Sequence, residues 1–137
     1  MAIQENVLTR NSRLNQIEVL NGASCALRIY TGAQPADCSQ ANSGTLLATI
    51  LLPADWMGDA AAGAKALAGV WSVAASGGAA ATPGHFRLYN SQATMDGTTC
   101  FMQGSCGIGS GDISFNGTIT SGQTVTISAF TLNEANA

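Results

Sequence analysis

The stretch from Asp112 to Leu132, DISFNGTITSGQTVTISAFTL, alternates apolar residues with serine and threonine and is interrupted by turns that contain glycine. A period of two is typical of antiparallel strands that bury one face and leave the other in water. Val125, Ile127 and Ala129 share the predicted buried face of one such strand. The tail of the chain therefore predicts antiparallel β-structure whose solvent-exposed face carries hydroxyl groups instead of charges.

At the end of this stretch, Phe130 and Leu132 reverse the parity of the alternation, which an antiparallel strand usually absorbs as a β-bulge.

Comparable strand patterns recur upstream of this stretch. The other predicted strands are 17–19, 25–30, 44–52, 66–75, 85–89 and 98–105. About eight short strands joined by turns predict an all-β chain, an antiparallel β-sandwich with an eight-stranded jelly roll as the first choice. Residues 14–137 are expected to form this single domain.

The first 13 residues lack a clean period of two, because polar residues are scattered among the apolar ones. We expect residues 1–13 to form an extended N-terminal arm that becomes ordered against a partner. A short helix is the alternative. Arg10 and Arg13 are the basic residues of this arm and are candidate interface residues.

The composition excludes several classes of function. Only 9% of the 137 residues are charged, 46% are hydrophobic, and the net charge is −3 with five lysines and arginines. Nucleic-acid binding needs clustered cations, so no nucleic-acid partner is expected. No membrane span or secretory signal is visible, because no long apolar run exists. A largely uncharged surface is poorly protected against association, which indicates protein partners.

The four cysteines, Cys25, Cys38, Cys100 and Cys106, could form two disulfides in three ways or none. Without a signal peptide, reduced thiols are favoured. The cysteine spacings do not match the short knuckles of zinc sites, and His85 lies far from both pairs of cysteines in the sequence. We therefore expect no metal and no cofactor.

The chain offers no recognisable catalytic constellation. His85 is the only histidine and is predicted to be a surface residue of a strand, because no partner motif accompanies it. The glycine-rich stretch 104–111 lacks the lysine and helix of a phosphate loop and is predicted to be a flexible hairpin connection. Trp56 and Trp71 could stack on sugars, although core packing is favoured. We expect a protein that is not an enzyme.

Two strands share the order apolar, arginine, apolar, tyrosine: Leu27 to Tyr30 and Phe86 to Tyr89. If the apolar residues point inward, the arginines and tyrosines project from the outer face. This places four candidate interface residues there: Arg28, Tyr30, Arg87 and Tyr89. Arginine and tyrosine are enriched at binding hot spots. The alternative is an arginine that stacks on its neighbour to cover the sheet.

Several elements resemble a group of virion proteins of tailed bacteriophages. They are 27–32, 35–38, 43–48, 85–89 and 122–128, within a resemblance that spans about residues 22–132. The size and strand pattern are similar to those of jelly-roll cement proteins, also called decoration proteins, which coat HK97-type capsids. The resemblance implies that the major capsid protein is the partner and that neighbouring capsid subunits are clamped by a homo-oligomer, with a dimer favoured. It also implies synthesis in the host cytoplasm and a final location on the outer capsid surface.

A second class of protein would use the same fold. A receptor-binding or carbohydrate-binding β-sandwich of a phage fibre or tail would be expected to expose Trp56 or Trp71 to its ligand. A cement protein would instead use the arm and the outer-face arginines and tyrosines. The exposure of the tryptophans therefore discriminates between the two predictions.

Overall fold

A computed structural model describes residues 3–134, which form one helix and nine strands. The helix, α1, spans Val7–Asn21. The strands are β1 (Ala26–Tyr30), β2 (Leu46–Leu51), β3 (Ala64–Ala66), β4 (Trp71–Ala74), β5 (His85–Tyr89), β6 (Cys100–Ile108), β7 (Ile113–Phe115), β8 (Thr124–Ile127) and β9 (Thr131–Asn133). The chain is mostly β, as predicted, but α1 departs from the predicted all-β class.

The strands form one five-stranded sheet, in the order β2-β1-β5-β6-β7, and two ribbons, β3-β9 and β4-β8. All the pairings are antiparallel except that of β6 with β7, which is parallel. The prediction that every tail strand is antiparallel is therefore wrong for β7. The packed sheets are consistent with a β-sandwich, while the eight strands and the order of a jelly roll are not established by this topology.

The core lies between one face of the five-stranded sheet and the ribbons. Leu27 and Phe86 belong to the sheet side of this cluster, and Val125 belongs to the ribbon side. Trp56 and Trp71 are fully buried, with their ring centroids 6.4 Å apart. Core packing of both tryptophans, the favoured sequence prediction, is confirmed. Aromatic rings of this size supply a large part of the buried apolar area of a small domain.

Helix α1 corrects the predicted N-terminal arm. Residues 7–13 are helical instead of extended, and so are residues 14–21, where a first strand was expected. Asn6 caps the helix, since its side chain accepts a hydrogen bond from the Leu8 backbone N–H at 2.7 Å. Leu14 is the only buried residue of the helix. The apolar stripe that marks an amphipathic helix in a sequence is therefore missing. Residues 1 and 2 of the predicted arm lie outside the described residues.

The reversal of parity in the tail is a break between strands instead of a bulge. β8 pairs with β4 and ends at Ile127, whereas β9 pairs with β3 and begins at Thr131. Between them Phe130 is buried in the core and Ala129 is exposed. The predicted alternation therefore holds for Val125 and Ile127 and fails at Ala129, because the chain there leaves one ribbon for the other.

The glycine-rich stretch 104–111 is mostly strand. Residues 104–108 belong to β6, which corrects the predicted flexible connection. A Cβ atom at Gly104 would lie 2.6 Å from the ring of Phe86 on the neighbouring strand. Glycine stands at this position because the aromatic ring packs directly on the backbone.

Candidate interaction surface

A loop covers the face of the five-stranded sheet that is turned away from the core. This loop, residues 31–45, is called the cover segment below. Arg28 and Arg87 are directly paired across β1 and β5, on the face opposite the core residues. Tyr30, Arg87 and Tyr89 on the same face are 3%, 0% and 0% exposed, and Arg28 is half-buried. This corrects the prediction that these side chains are exposed: three of the four are sealed inside the protein.

Arg87 holds the cover segment through three acceptors. Its guanidinium donates to the carbonyl oxygens of Cys38 at 2.7 Å and Gln40 at 3.1 Å, and to Asn42 Oδ1 at 2.7 Å. The same guanidinium lies 5.9 Å from the ring centroid of Tyr89. No carboxylate in residues 3–134 forms an ion pair with Arg87. The alternative prediction, an arginine that stacks on its neighbour and covers the sheet, describes Arg87 better than an exposed anchor does.

The tyrosines extend this network beneath the cover segment. The Tyr89 hydroxyl donates to Asn42 Oδ1 at 2.6 Å and lies 2.9 Å from the Tyr30 hydroxyl. Burial raises the pKa of Tyr89, and the hydrogen bond with Tyr30 raises it further. Buried hydroxyl groups normally need partners, and here they find them in each other and in the loop. Tyr30 and Tyr89 therefore stabilise the fold and are not available to a partner protein.

Backbone contacts bring the cover segment close to the sheet and to residue 97. A Cβ atom at Gly84 would overlap the carbonyl oxygen of Gly32, and one at Gly97 would overlap that of Ser39. Only glycine permits such an approach of two backbones. The cover segment is therefore a packed part of the domain.

His85 lies under the same loop, which corrects its predicted place on the strand surface. It is fully buried, its Nδ1 lies 2.9 Å from the Gly32 carbonyl oxygen, and its ring stacks on Tyr30 with centroids 5.1 Å apart. Burial lowers the pKa of His85 below its ordinary value of 6.5; the hydrogen bond to Gly32 opposes this effect and the Arg87 charge adds to it. His85 is therefore held in its neutral form.

We expect His85 to make the protein less stable in mild acid. Because the unfolded chain binds a proton more readily than the buried ring, this contribution is present above about pH 6.5 and is lost as the pH falls through the lower folded-state pKa. Replacing His85 with glutamine, which retains an N–H donor for Gly32, should reduce the loss of stability as the pH falls below about 6.5. Urea unfolding at several pH values measures this. An unchanged slope in the variant would contradict a neutral buried histidine.

Helix α1 is bound to the body of the protein by polar side chains. Three acceptors on one face of the helix receive hydrogen bonds from backbone N–H groups of the segment 57–63. The pairs are Asn11 with Gly63 at 2.9 Å, Asn15 with Ala60 at 2.9 Å, and Glu18 with Met57 at 3.0 Å. The fully buried ammonium group of Lys65 also meets Glu18, at 2.7 Å. The three side-chain oxygens thus accept hydrogen bonds from backbone N–H groups of the segment 57–63 that are not paired with a neighbouring strand.

Arg10 and Arg13, the candidate interface residues of the predicted arm, serve the same attachment. Arg10 donates to the backbone carbonyl of Glu134 at 3.1 Å, and Arg13 forms ion pairs with the carboxylates of Glu5 and Glu134. These contacts join both ends of the chain. The structure thus brings Arg10 and Arg13 together at one site, remote in sequence from Arg28 and Arg87. Both arginines form their contacts with residues of the same chain.

Helix α1 also exposes apolar side chains, on a flank next to the attached face. Leu8 and Val19 are each 70% exposed and Leu20 is 78% exposed. Leu8 and Val19 lie about three turns apart and so nearly above one another on the helix surface. Ser12 and Gln16 lie between them and are exposed and uncharged. These five residues are called the α1 strip below. Sequence reasoning did not identify the strip, because it favoured an extended arm and kept a short helix only as the alternative.

An open crevice separates the two tail strands β7 and β8. It has a volume of about 520 Å³, and its walls are residues 111–117 and 123–129 together with Ile119. Asp112 is the only titratable side chain in these walls, and its carboxylate accepts hydrogen bonds from the Ser105 backbone N–H and hydroxyl. The crevice therefore contains no pair of acid and base groups that could transfer protons.

Residues 3–134 contain neither a metal-ligand cluster nor a helix that could span a membrane. No three histidine, cysteine, aspartate or glutamate side chains in this range are grouped as metal ligands. The same range contains no helix with both the length and the apolar character needed to cross a membrane. The four cysteines are free thiols. Neither Trp56 nor Trp71 presents a ring face to solvent.

Comparison with known proteins adds no identification. No protein-family model, curated protein or solved structure was found to match the chain. The case for a function therefore rests on the residues themselves.

Proposed function

We propose that the chain is a structural virion protein that binds the outside of an assembled HK97-type phage capsid and cements neighbouring major capsid subunits. The observation that carries the proposal is the α1 strip, an exposed and uncharged surface with three apolar side chains on a firmly attached helix. The resemblance of five sequence elements to jelly-roll cement proteins supports it, as does the mostly β fold with packed sheets. The protein acts by binding and not by catalysis.

The α1 strip is suited to binding because it has no role in folding the chain. Leu8, Val19 and Leu20 are mostly exposed, so their apolar area is not used in the core. Val19 and Leu20 are neighbours near the end of the helix, and contiguous exposed apolar side chains are a feature of interaction sites. Leu8 lies about three turns away on the same strip. The partner would bury them against an uncharged surface, since Ser12 and Gln16 offer hydrogen bonds without charge.

The polar attachment of α1 makes this surface rigid. Asn11, Asn15 and Glu18 fix the helix to the segment 57–63, and Lys65 is buried beneath it. A helix that is already ordered loses little conformational entropy when a partner binds. The proposal thus moves the contact from a disordered arm, as the sequence predicted, to an ordered helix in the same part of the chain.

Cementing follows from mass action on a repeated lattice. A protein that binds only the assembled shell stabilises it in proportion to the logarithm of the free concentration over Kd. If the chain forms a homo-oligomer on the shell, with a dimer favoured, two copies of the α1 strip would engage neighbouring capsid subunits at once. Linked contacts of this kind add avidity without any strong single contact.

Co-sedimentation with capsids stripped of accessory proteins tests the proposal. The wild-type protein should bind to saturation, and the double variant Leu8→Gln/Val19→Thr should bind at least about tenfold more weakly, because the apolar part of the contact is lost. Val70→Thr is the matched control, since Val70 is 76% exposed but lies outside α1. It should bind like the wild type.

Two results would contradict the proposal in different ways. Absence of saturable binding by folded wild-type protein would remove the cement function and favour the receptor-binding or carbohydrate-binding class. Normal binding by Leu8→Gln/Val19→Thr would remove α1 as the contact surface. Circular dichroism of each variant shows whether it has folded.

A further inference from the structure

The crevice between β7 and β8 is bordered by two strand edges that have no neighbouring strand within residues 3–134. β7 is the last strand of the five-stranded sheet and pairs only with β6, whereas β8 pairs only with β4. Both strands lie in the walls of the crevice. A free strand edge is a row of backbone donors and acceptors, which proteins usually cover or protect with charged side chains.

The register of β8 shows which of its backbone groups face the crevice. The Ala75 N–H donates to the Gln123 carbonyl at 2.8 Å, so every second residue of β8 counted from there bonds to β4. The N–H and C=O groups of Thr124 and Thr126, which lie between those residues, point away from β4. Within residues 3–134 neither residue forms a backbone hydrogen bond on that side.

The register of β7 places a matching group on the opposite wall. The Gly109 N–H donates to the Phe115 carbonyl at 3.0 Å, so Phe115 bonds to the β6 side and the preceding residue, Ser114, points away from it. No backbone hydrogen bond joins Ser114 to another residue in the range 3–134 on its free side. Free backbone donors and acceptors therefore line both sides of the crevice.

We propose that the crevice binds one extended segment of a different protein, which pairs through its backbone with β7 on one side and with β8 on the other. Such a segment needs both of its own edges free, because each wall takes one of them. All nine strands in the described part of this chain already have one edge paired, so a strand of a second copy does not meet this need. A loop or arm of a partner protein does meet it, by strand addition.

The walls of the crevice define the chemistry of this segment. Ile113 and Val125 are buried toward the core, whereas Ser114 and Thr126 are exposed. A strand between them would place alternate side chains beside apolar groups and beside hydroxyl groups. Asp112 is the only charged side chain in the walls, so a segment that carries lysine or arginine is favoured over an acidic one. The occupant should therefore alternate apolar residues with serine or threonine and be positively charged.

The test is a titration of isotope-labelled protein with the blocked peptide acetyl-Lys-Val-Thr-Val-Thr-Val-Lys-amide, followed by NMR. We expect saturable binding, and the amide protons of Ser114, Thr124 and Thr126 should exchange with water at least about tenfold more slowly in the complex. The same peptide with its central valine N-methylated has lost a backbone donor. It should bind at least about tenfold more weakly.

Two variants of Thr126 separate backbone pairing from side-chain effects. Both Thr126→Pro and Thr126→Val remove the hydroxyl that lies 2.9 Å from the Ser72 hydroxyl, but only proline removes the N–H that faces the crevice. Thr126→Pro should bind the peptide at least about tenfold more weakly, and Thr126→Val should bind it like the wild type. Proline is tolerated in an edge strand where its nitrogen faces solvent. If Thr126→Pro does not fold, the N-methylated peptide decides.

Three results would overturn the proposal. The first is no saturable binding up to about 1 mM peptide. The second is equal binding of the parent and N-methylated peptides. The third is slow exchange of the Thr124 and Thr126 amide protons in the protein alone at high concentration, which would mean that a second copy occupies the crevice. The assay contains no capsid, so its outcome is independent of the proposed cement function and of the α1 strip.

Discussion

Replacing Arg87 with alanine should lower the free energy of unfolding by about 3 to 5 kcal/mol. The side chain is fully buried and supplies donors to the Cys38 carbonyl, the Gln40 carbonyl and the Asn42 amide oxygen. Without it these acceptors lose their partner, and the cover segment loses its central attachment. The buried face of β1 and β5 would then be opened to water. Urea unfolding followed by tryptophan fluorescence measures the loss.

Arg28 provides the matched control for Arg87. The two residues are directly opposite each other on adjacent strands, but Arg28 is half-buried and its Nε donates a hydrogen bond to the Thr49 hydroxyl at 3.2 Å. Arg28→Ala should cost about 1 kcal/mol or less, because it also removes a like charge that faces Arg87. Equal losses for Arg28→Ala and Arg87→Ala would contradict the role of Arg87 as the attachment of the cover segment.

Glu18→Gln should be the second strongly destabilising change, with a loss of about 3 kcal/mol. The Lys65 ammonium is buried, and Glu18 is its carboxylate partner at 2.7 Å; its other contacts are the neutral oxygens of Asn15 and Gly58. Glutamine retains one oxygen for the Met57 N–H, but an amide NH₂ replaces the oxygen that Lys65 contacts, so the ammonium loses both the charge and an acceptor. A buried cation without its anion is costly.

A double-mutant cycle distinguishes this charge effect from a general loss of packing. Lys65→Met removes the buried cation, so adding Glu18→Gln to it should cost much less than Glu18→Gln alone. We expect a coupling energy of about 2 kcal/mol, measured by urea unfolding. Asp59→Asn, at an exposed carboxylate of the same segment, is the control and should be almost neutral. Additive losses would show that Glu18 and Lys65 do not act as a pair.

The sequence was informative where a local period decides the structure. The strand at His85 to Tyr89 and the alternation of Val125 and Ile127 both appear as predicted, because a period of two fixes which side chains share a face. The face that carries Arg87 was also predicted correctly. Its burial was not, because no local pattern shows that a loop with mostly exposed residues will pack onto that face.

A helix at the N-terminus was only the alternative prediction, for a related reason. Sequence patterns recognise a helix by an apolar stripe, whereas α1 docks through Asn11, Asn15 and Glu18 and buries only Leu14. The Asn6 cap was the one local signal that could have located its start.

The melting temperature of accessory-stripped HK97-type capsids, measured with increasing amounts of the protein, tests the proposed cement function most directly. The account predicts that the capsid melts several degrees higher when its sites are filled, and that the melting temperature continues to rise with the logarithm of free protein concentration. A capsid that is saturated with folded protein and yet melts at its original temperature would contradict cementing.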